Sequence, residues 1–204
     1  VFQQLSFHDV LAACADFLKR NSTECIVMSV KEEFLPSSNT RDFEQTFDDY
    51  VAHDSGEWLL SGTIPTLREA MGKIVLLRRF AAETLPKGID AADWPVNATF
   101  TIDSRFARLK IQDEYVVKDE KRKWDAVQRL YRDAFSAADE CLYLNFTSGY
   151  RRGILGLPNI TAVSDFINPE LENYFKSNST GRLGISVMDF ADTERCALII
   201  ATNF

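Results

Sequence analysis

The sequence predicts an α/β fold, and within that class a (β/α) TIM-type barrel, here lacking its N-terminal strands. Three observations carry this expectation. Short apolar runs of strand length alternate with amphipathic stretches of helical length, as when crossover helices join parallel strands. Several of the runs are almost continuously apolar, which suits strands covered on both faces. Polar residues collect at or just past the C-terminal ends of the runs, where barrels and doubly wound sheets gather their chemistry: Lys31, Arg79, Asp113, Tyr115, Asn145 and Asp189. No glycine-rich phosphate loop follows any run, which favours a barrel over a nucleotide-binding sheet. Residues 1–204 are read as a single domain, the C-terminal part of such a barrel. A complete eight-stranded barrel typically takes about 250 residues, so the opening strands are expected upstream of Val1.

The elements follow in order. Ser6-Phe7-His8-Asp9 has capping-box spacing, and Val10, Leu11, Cys14, Phe17 and Leu18 continue a helix to about Arg20. Cys25 to Val30 is the first strand, stopping at Lys31-Glu32-Glu33. Arg41 to Val51 carries Phe43, Phe47 and Tyr50 at helical spacing, and Thr66 to Gly72 is a short helix ended by glycine. Lys73 to Leu77 is the second strand and leads to Arg78, Arg79 and Phe80; Arg108 to Gln112 is the third and leads to Asp113-Glu114-Tyr115. Lys118 to Ala138 is a long helix with Trp124, Val127, Leu130, Tyr131 and Phe135 inward, and the charged run Lys118 to Arg132 is read as its solvated face. Cys141 to Leu144 is the fourth strand. Asn168-Pro169-Glu170 is read as a helix start with proline at the first helical position, and Gly184 to Met188 as the fifth strand. Cys196 to Phe204 fits helix or strand equally.

Composition narrows the partners. Lysine plus arginine at 23 against aspartate plus glutamate at 30 gives a net charge of −7, which argues against nucleic acid. No apolar run approaches the eighteen or so residues of a membrane span, so membrane contact is expected to be peripheral. Cys14, Cys25, Cys141 and Cys196 show no Cys-x-x-Cys spacing and are read as core thiols rather than metal ligands or staples. Asn-x-Ser/Thr sequons stand at Asn21, Asn97, Asn145, Asn159 and Asn178, where composition alone gives about one. That excess points to a secreted protein, with Asn145 set aside as a core residue.

Seven stretches, Lys19–Glu33, Gly72–Phe80, Trp94–Phe100, Gln112–Tyr115, Leu142–Ser148, Ile167–Pro169 and Val187–Asp189, resemble in that order the bacterial-type phosphatidylinositol-specific phospholipases C. The resemblance implies a distorted, incompletely closed (β/α) barrel that works without a metal or other cofactor. It implies one histidine as general base on the inositol 2-hydroxyl, a second as acid on the diacylglycerol leaving group, and an arginine at the phosphate. Lys31, Arg79, Trp94, Asp113 and Tyr115 match positions that line the inositol pocket, and Asp189 matches the carboxylate that orients the base. The implied partner is an inositol phospholipid or glycolipid headgroup, met by a monomer. Val96 stands where the family pattern has aspartate, which puts headgroup specificity in question.

The histidine and arginine positions of the family precede the helix at Ser6, so the catalytic pair is expected outside these residues. His8-Asp9 is read as a helix cap. His53-Asp54-Ser55-Gly56 copies a catalytic tripeptide superficially but falls in the wrong order, between the Lys31 and Arg79 strands. Taken without the resemblance, Lys31 and Arg79 also read as solvated strand ends, Tyr115 as a half-buried rim aromatic and Asp189 as a rim charge. Phe80 and the Leu85 to Ile89 loop are left open as lipid contacts. A non-catalytic headgroup-binding relative is the alternative function. A metal-dependent glycerophosphodiesterase is a third, supported only by Glu32-Glu33.

Overall fold

The computed structural model describes residues 5–34, 38–53, 56–153, 156–177 and 180–204. They fall into two compact units, the first Val1–Trp94 with Ser104–Ala107 and the second Pro95–Asp103 with Arg108–Phe204.

In the first unit, α1 (Phe7–Arg20) begins at the Ser6 cap: the Ser6 hydroxyl accepts from the Asp9 amide while the Asp9 carboxylate accepts from the Ser6 amide. His8 is an exposed residue of that first turn. The strands are β1 (Ile26–Lys31), β2 (Trp58–Leu59), β3 (Ile74–Arg79) and β4 (Ile89–Asp90), with α2 (Phe43–His53) and α3 (Leu67–Ala70) between them. All pair in parallel, with β3 between β1 on one side and β2 and β4 on the other. Alternation divides the faces. Ile26, Met28 and Val30 of β1, with Ile74 and Leu76 of β3, pack with Leu11, Leu18 and Phe47 of the helices. Lys31 and Arg79 therefore lie on the opposite face, where they are register partners. Gly72, after α3, has φ 68°, a conformation only glycine adopts cheaply, and its amide donates to Glu24 O at 2.7 Å.

Phe80 is buried against Phe43 and Phe47, which removes it as a lipid contact. In the Leu85 to Ile89 loop Leu85 and Pro86 are exposed, whereas Lys87, Gly88 and Ile89 are buried. Lys87 bonds the carboxylates of Glu44 and Asp48 and so pins the loop to α2.

In the second unit the sheet order is β10 (Ile185–Val187), β7 (Cys141–Phe146), β6 (Arg108–Asp113), β5 (Ala98–Asp103). The β5–β6 pair is antiparallel, a hairpin arm the sequence reading did not anticipate in an otherwise parallel sheet. A small hairpin of β8 (Arg151–Arg152) and β9 (Pro158–Asn159) stands apart. The helices are α4 (Glu120–Ser136), α5 (Thr161–Ser177) and α6 (Thr193–Ala201). Trp124, Val127 and Tyr131 of α4 pack with Val163, Ile167, Leu171 and Phe175 of α5.

Four expectations are corrected here. Among the described residues the five strands become ten, the extra ones mostly two-residue pairings too short to leave a pattern. Helix α5 starts at Thr161, eight residues before Pro169, which lies inside it. The Asn159 carboxamide closes that start, accepting from Thr161 Oγ1 at 2.9 Å and the Ala162 amide at 3.0 Å. Phe135 is 62% exposed rather than inward. Lys123, within the run read as a solvated face, is only 2% exposed. The final segment resolves as helix α6, capped by Asp192. Among the described residues the strands form separate open sheets.

No disulfide joins the cysteines, of which Cys141 is buried and the others half-buried. Of the sequons, Asn145 is fully buried and structural, Asn21 ends α1, Asn97 sits in a turn, Asn159 caps α5, and Asn178 lies outside the described residues.

Candidate functional site

In the first unit two strand ends hold candidate site residues, and a third, Trp94, follows β4. Lys31 closes β1, and its ammonium donates to Glu33 Oε2 at 2.9 Å with both side chains well exposed. Arg79 closes β3, and its guanidinium lies 4.0 Å from the centroid of the Trp94 ring. Stacking on an indole face holds the guanidinium plane. The neighbouring Arg78 points the other way and is structural, its guanidinium donating to Lys87 O and Phe80 O and pairing with Asp90. His53 ends α2, exposed, and Asp54 and Ser55 of the decoy tripeptide lie outside the described residues.

The second unit builds its strand end differently. Asp113 closes β6 and is 8% exposed. Its neighbour Gln112 faces the helix layer: the Gln112 amide donates to Asn145 Oδ1 at 3.0 Å and Phe146 O at 2.9 Å, while Asn145 donates to Val127 O of α4 at 2.9 Å. Lys123 reaches in from α4 and donates to Gln112 Oε1 at 2.8 Å and Glu114 O at 3.0 Å. Since side chains alternate along a strand, Asp113 lies on the face opposite Gln112.

Burial lowers the Lys123 ammonium to about 8, although Asp113, Glu114 and Asp189 in turn favour its charge. A polar cleft of about 440 Å³, bordered by Asn97, Glu114, Asp119, Arg122 and Lys123, lies beside this network.

Tyr115 follows Asp113. Its ring meets Tyr150 at 6.1 Å between centroids, and its carbonyl accepts from the Tyr150 amide at 2.8 Å. Asp189 follows β10: its Oδ2 accepts the Gly149 amide at 3.1 Å, and its carbonyl accepts from the Asn168 side chain at 3.2 Å. Gly149 is thus held between Asp189 and the Tyr115 segment. A Cβ there would stand 2.9 Å from Tyr115 O and 3.0 Å from Val117 Cγ2, so the approach requires glycine. Val96 is 77% exposed.

Sequence reasoning missed Gln112, Lys123, Gly149 and Asn168 as the supports of Asp113, Tyr115 and Asp189. Lys123 had a signal, since it precedes Val127 by four residues and Tyr131 by eight, and so lies on the apolar stripe of α4 rather than the charged face.

No group of three or more histidine, cysteine, aspartate or glutamate side chains placed to hold a metal ion occurs among the described residues. No helix among them is long and apolar enough to cross a membrane.

Comparison with known proteins bears on these strand ends. Residues 1–80 match the family model described as phosphatidylinositol-specific phospholipase C, X domain. The chain is 32% identical over 187 residues to the 1-phosphatidylinositol phosphodiesterase of Staphylococcus aureus (strain Newman), an alignment covering 86% of this chain and 59% of that protein. A mutant of the phosphatidylinositol-specific phospholipase C from Staphylococcus aureus superposes with a TM-score of 0.86 at 26% identity, covering 100% of this chain and 73% of that one. A second structure of that phospholipase, described in terms of modulating its membrane binding, gives 0.85 at 28% identity, again with 100% and 73% coverage. The chain therefore spans 59% of the length of that curated relative. In sequence and in fold the chain is similar to the bacterial-type phosphatidylinositol-specific phospholipases C.

Proposed function

We propose that the chain supplies headgroup-binding residues of a phosphodiesterase that cleaves phosphatidylinositol or an inositol-glycolipid anchor, carried on a distorted (β/α) barrel. Lys31 and Arg79 offer donors only, and Asp113 offers acceptors only. A polyol phosphate needs both, because each hydroxyl donates once and accepts twice. Trp94 holds the Arg79 plane, and Tyr115 gives the inositol ring an aromatic edge beside Tyr150. Asp189, braced by the Gly149 amide, is suited to orient a histidine by accepting from its ring N–H.

The chemistry follows from those roles. The base histidine removes the proton of the inositol 2-hydroxyl, whose oxygen attacks phosphorus, and the acid histidine protonates the departing diacylglycerol oxygen. A cyclic inositol phosphate results without a metal. Neither His8, in the first turn of α1, nor His53, at the end of α2, is assigned to either step. Contact with the membrane is peripheral and the protein is secreted. The observation that carries this reading is that Lys31, Arg79 and Asp113 are each the last residue of a strand.

Calorimetry with myo-inositol tests it. Arg79→Ala and Asp113→Ala are each expected to weaken binding by about 1–3 kcal/mol, the usual loss when a charged hydrogen-bond partner is removed. Val96→Asp is expected to tighten it. Unchanged affinity in both alanine variants places the headgroup elsewhere. Incubated alone with phosphatidylinositol vesicles, the 204 residues are expected to release no cyclic inositol phosphate. Robust release would assign the chemistry to His8 or His53.

A further inference from the structure

We propose that Lys123 is a positioning residue for the headgroup site, fixing the Gln112–Glu114 end of β6 from the helix side and so setting the place and charge of Asp113. This rests on the reading of Asp113 as a headgroup ligand.

The geometry is specific. The ammonium has two acceptors, Gln112 Oε1 at 2.8 Å and Glu114 O at 3.0 Å, and these flank Asp113 in the chain on both sides. Gln112 Oε1 also accepts the Glu114 amide at 2.9 Å, so one side-chain oxygen closes the turn around Asp113. The same side chain ties β6 to β7 through Asn145 and the Phe146 carbonyl. The end of the strand is held by a network in which each named group has its partner, and Lys123 brings to it a formal charge.

A neutral donor would have sufficed to satisfy those two acceptors. A buried ammonium costs far more to desolvate, and no carboxylate among the described residues lies within ion-pair distance of it. The charged groups whose fields favour its charge are Asp113 and Glu114 at the end of β6 and Asp189 beyond β10. Asp119 and Arg122, from the α4 end, border the same polar cleft. Interactions between charges are mutual, so the cation favours the ionised form of Asp113, the form that accepts from two hydroxyls at once.

The test uses the full chain and Lys123→Met, which keeps an unbranched side chain one atom shorter and removes the charge. Carboxyl carbon NMR, with Asp113 assigned through Asp113→Asn, follows its titration while calorimetry follows myo-inositol. In Lys123→Met the Asp113 midpoint is expected to rise by about half a pH unit or more. Myo-inositol affinity at pH 7 is expected to fall about tenfold, and the acid limb of binding to move upward with the midpoint.

A support that is merely steric moves neither the midpoint nor the limb, and an unmoved Asp113 midpoint in folded Lys123→Met overturns the proposal. Absence of myo-inositol binding by the unaltered chain overturns instead the headgroup reading on which it rests. Where the methionine variant does not fold, Lys123→Gln, which keeps a donor, is read by the same two measurements.

Discussion

Two lysines are buried in this molecule, and they are held in opposite ways. Lys87, in the first unit, is 4% exposed and bonds two carboxylates, Glu44 and Asp48. Burial pulls its ammonium down, but those two bonds more than offset the effect and its titration is raised. Lys123, in the second unit, is 2% exposed, bonds two neutral oxygens, and is lowered to about 8. The first is a fastener: its charge is cancelled where it sits, and what remains is a tie between α2 and the loop after β3. The second keeps its charge among neutral oxygens at the strand end that carries Asp113. A buried charge of the first kind serves the fold, and one of the second kind is where the proposed site can be tested.

The sharpest way to break the contrast is to put Lys87 into the condition of Lys123. Glu44→Gln with Asp48→Asn removes both counter-charges and leaves the ammonium buried among neutral partners. Glu44 also accepts the Glu83 amide at 2.6 Å and the Thr84 amide at 3.1 Å, so the loop loses its anchor as well. The expected cost is about 3–5 kcal/mol, read from the urea midpoint at constant slope. A loss under about 1 kcal/mol would show that Lys87 finds water instead, and the two lysines would then not differ in kind.

Next in size is the pH signature of Lys123. The folded protein holds that proton with a midpoint of about 8, against 10.5 for an ordinary lysine. The penalty for the buried charge is therefore present in full below pH 8 and is relieved as pH rises toward 10.5. Across that window the unfolded chain binds the extra proton, so this group makes stability rise with pH, by about 3 kcal/mol in all. Lys123→Met removes the rise. The measurement is the difference in unfolding free energy between the two proteins at pH 7.5, 9 and 10.5, since other titrating groups cancel in it. A difference independent of pH would mean that Lys123 is solvated in the folded state.

The same contrast explains which parts were legible in the sequence. Lys31 and Arg79 could be read because each ends a strand whose apolar run marks it, Asp113 because Leu109 and Ile111 alternate with polar residues before it, and Ser6 and Asp9 because a capping box is a local device. The start of α5 was misread because the proline signal at Pro169 outweighed the spacing of Val163, Ile167, Leu171 and Phe175, which is that of one helix face. Strands such as β4 and β9 are two residues long and exist only through their partners. The supports of the second unit were hidden for a related reason. Gln112 and Asn145 are register partners on adjacent strands, Lys123 meets them from a helix, and Gly149 matters only because Tyr115 O and Asp189 Oδ2 close on it. Contacts made across elements leave little mark on any one of them. Only Lys123, a charge on an apolar stripe, left a trace.

Lys31 supplies the smallest effect and completes the series. It shares with Lys87 a carboxylate partner, Glu33 at 2.9 Å, and differs in that both side chains are largely in water, at 39% and 65% exposure. In that setting the Coulomb energy gained is nearly matched by lost side-chain freedom and lost hydration, and salt screens what remains. Lys31→Ala is therefore expected to change the unfolding free energy by no more than about 0.5 kcal/mol, and the difference to vanish near 1 M salt. Its value to the protein then lies in what the exposed ammonium can reach. Weaker binding of an inositol phosphate with stability intact would assign it to the ligand. A stability loss comparable to that of the Lys87 pair would instead make Lys31 a structural fastener and withdraw it from the site.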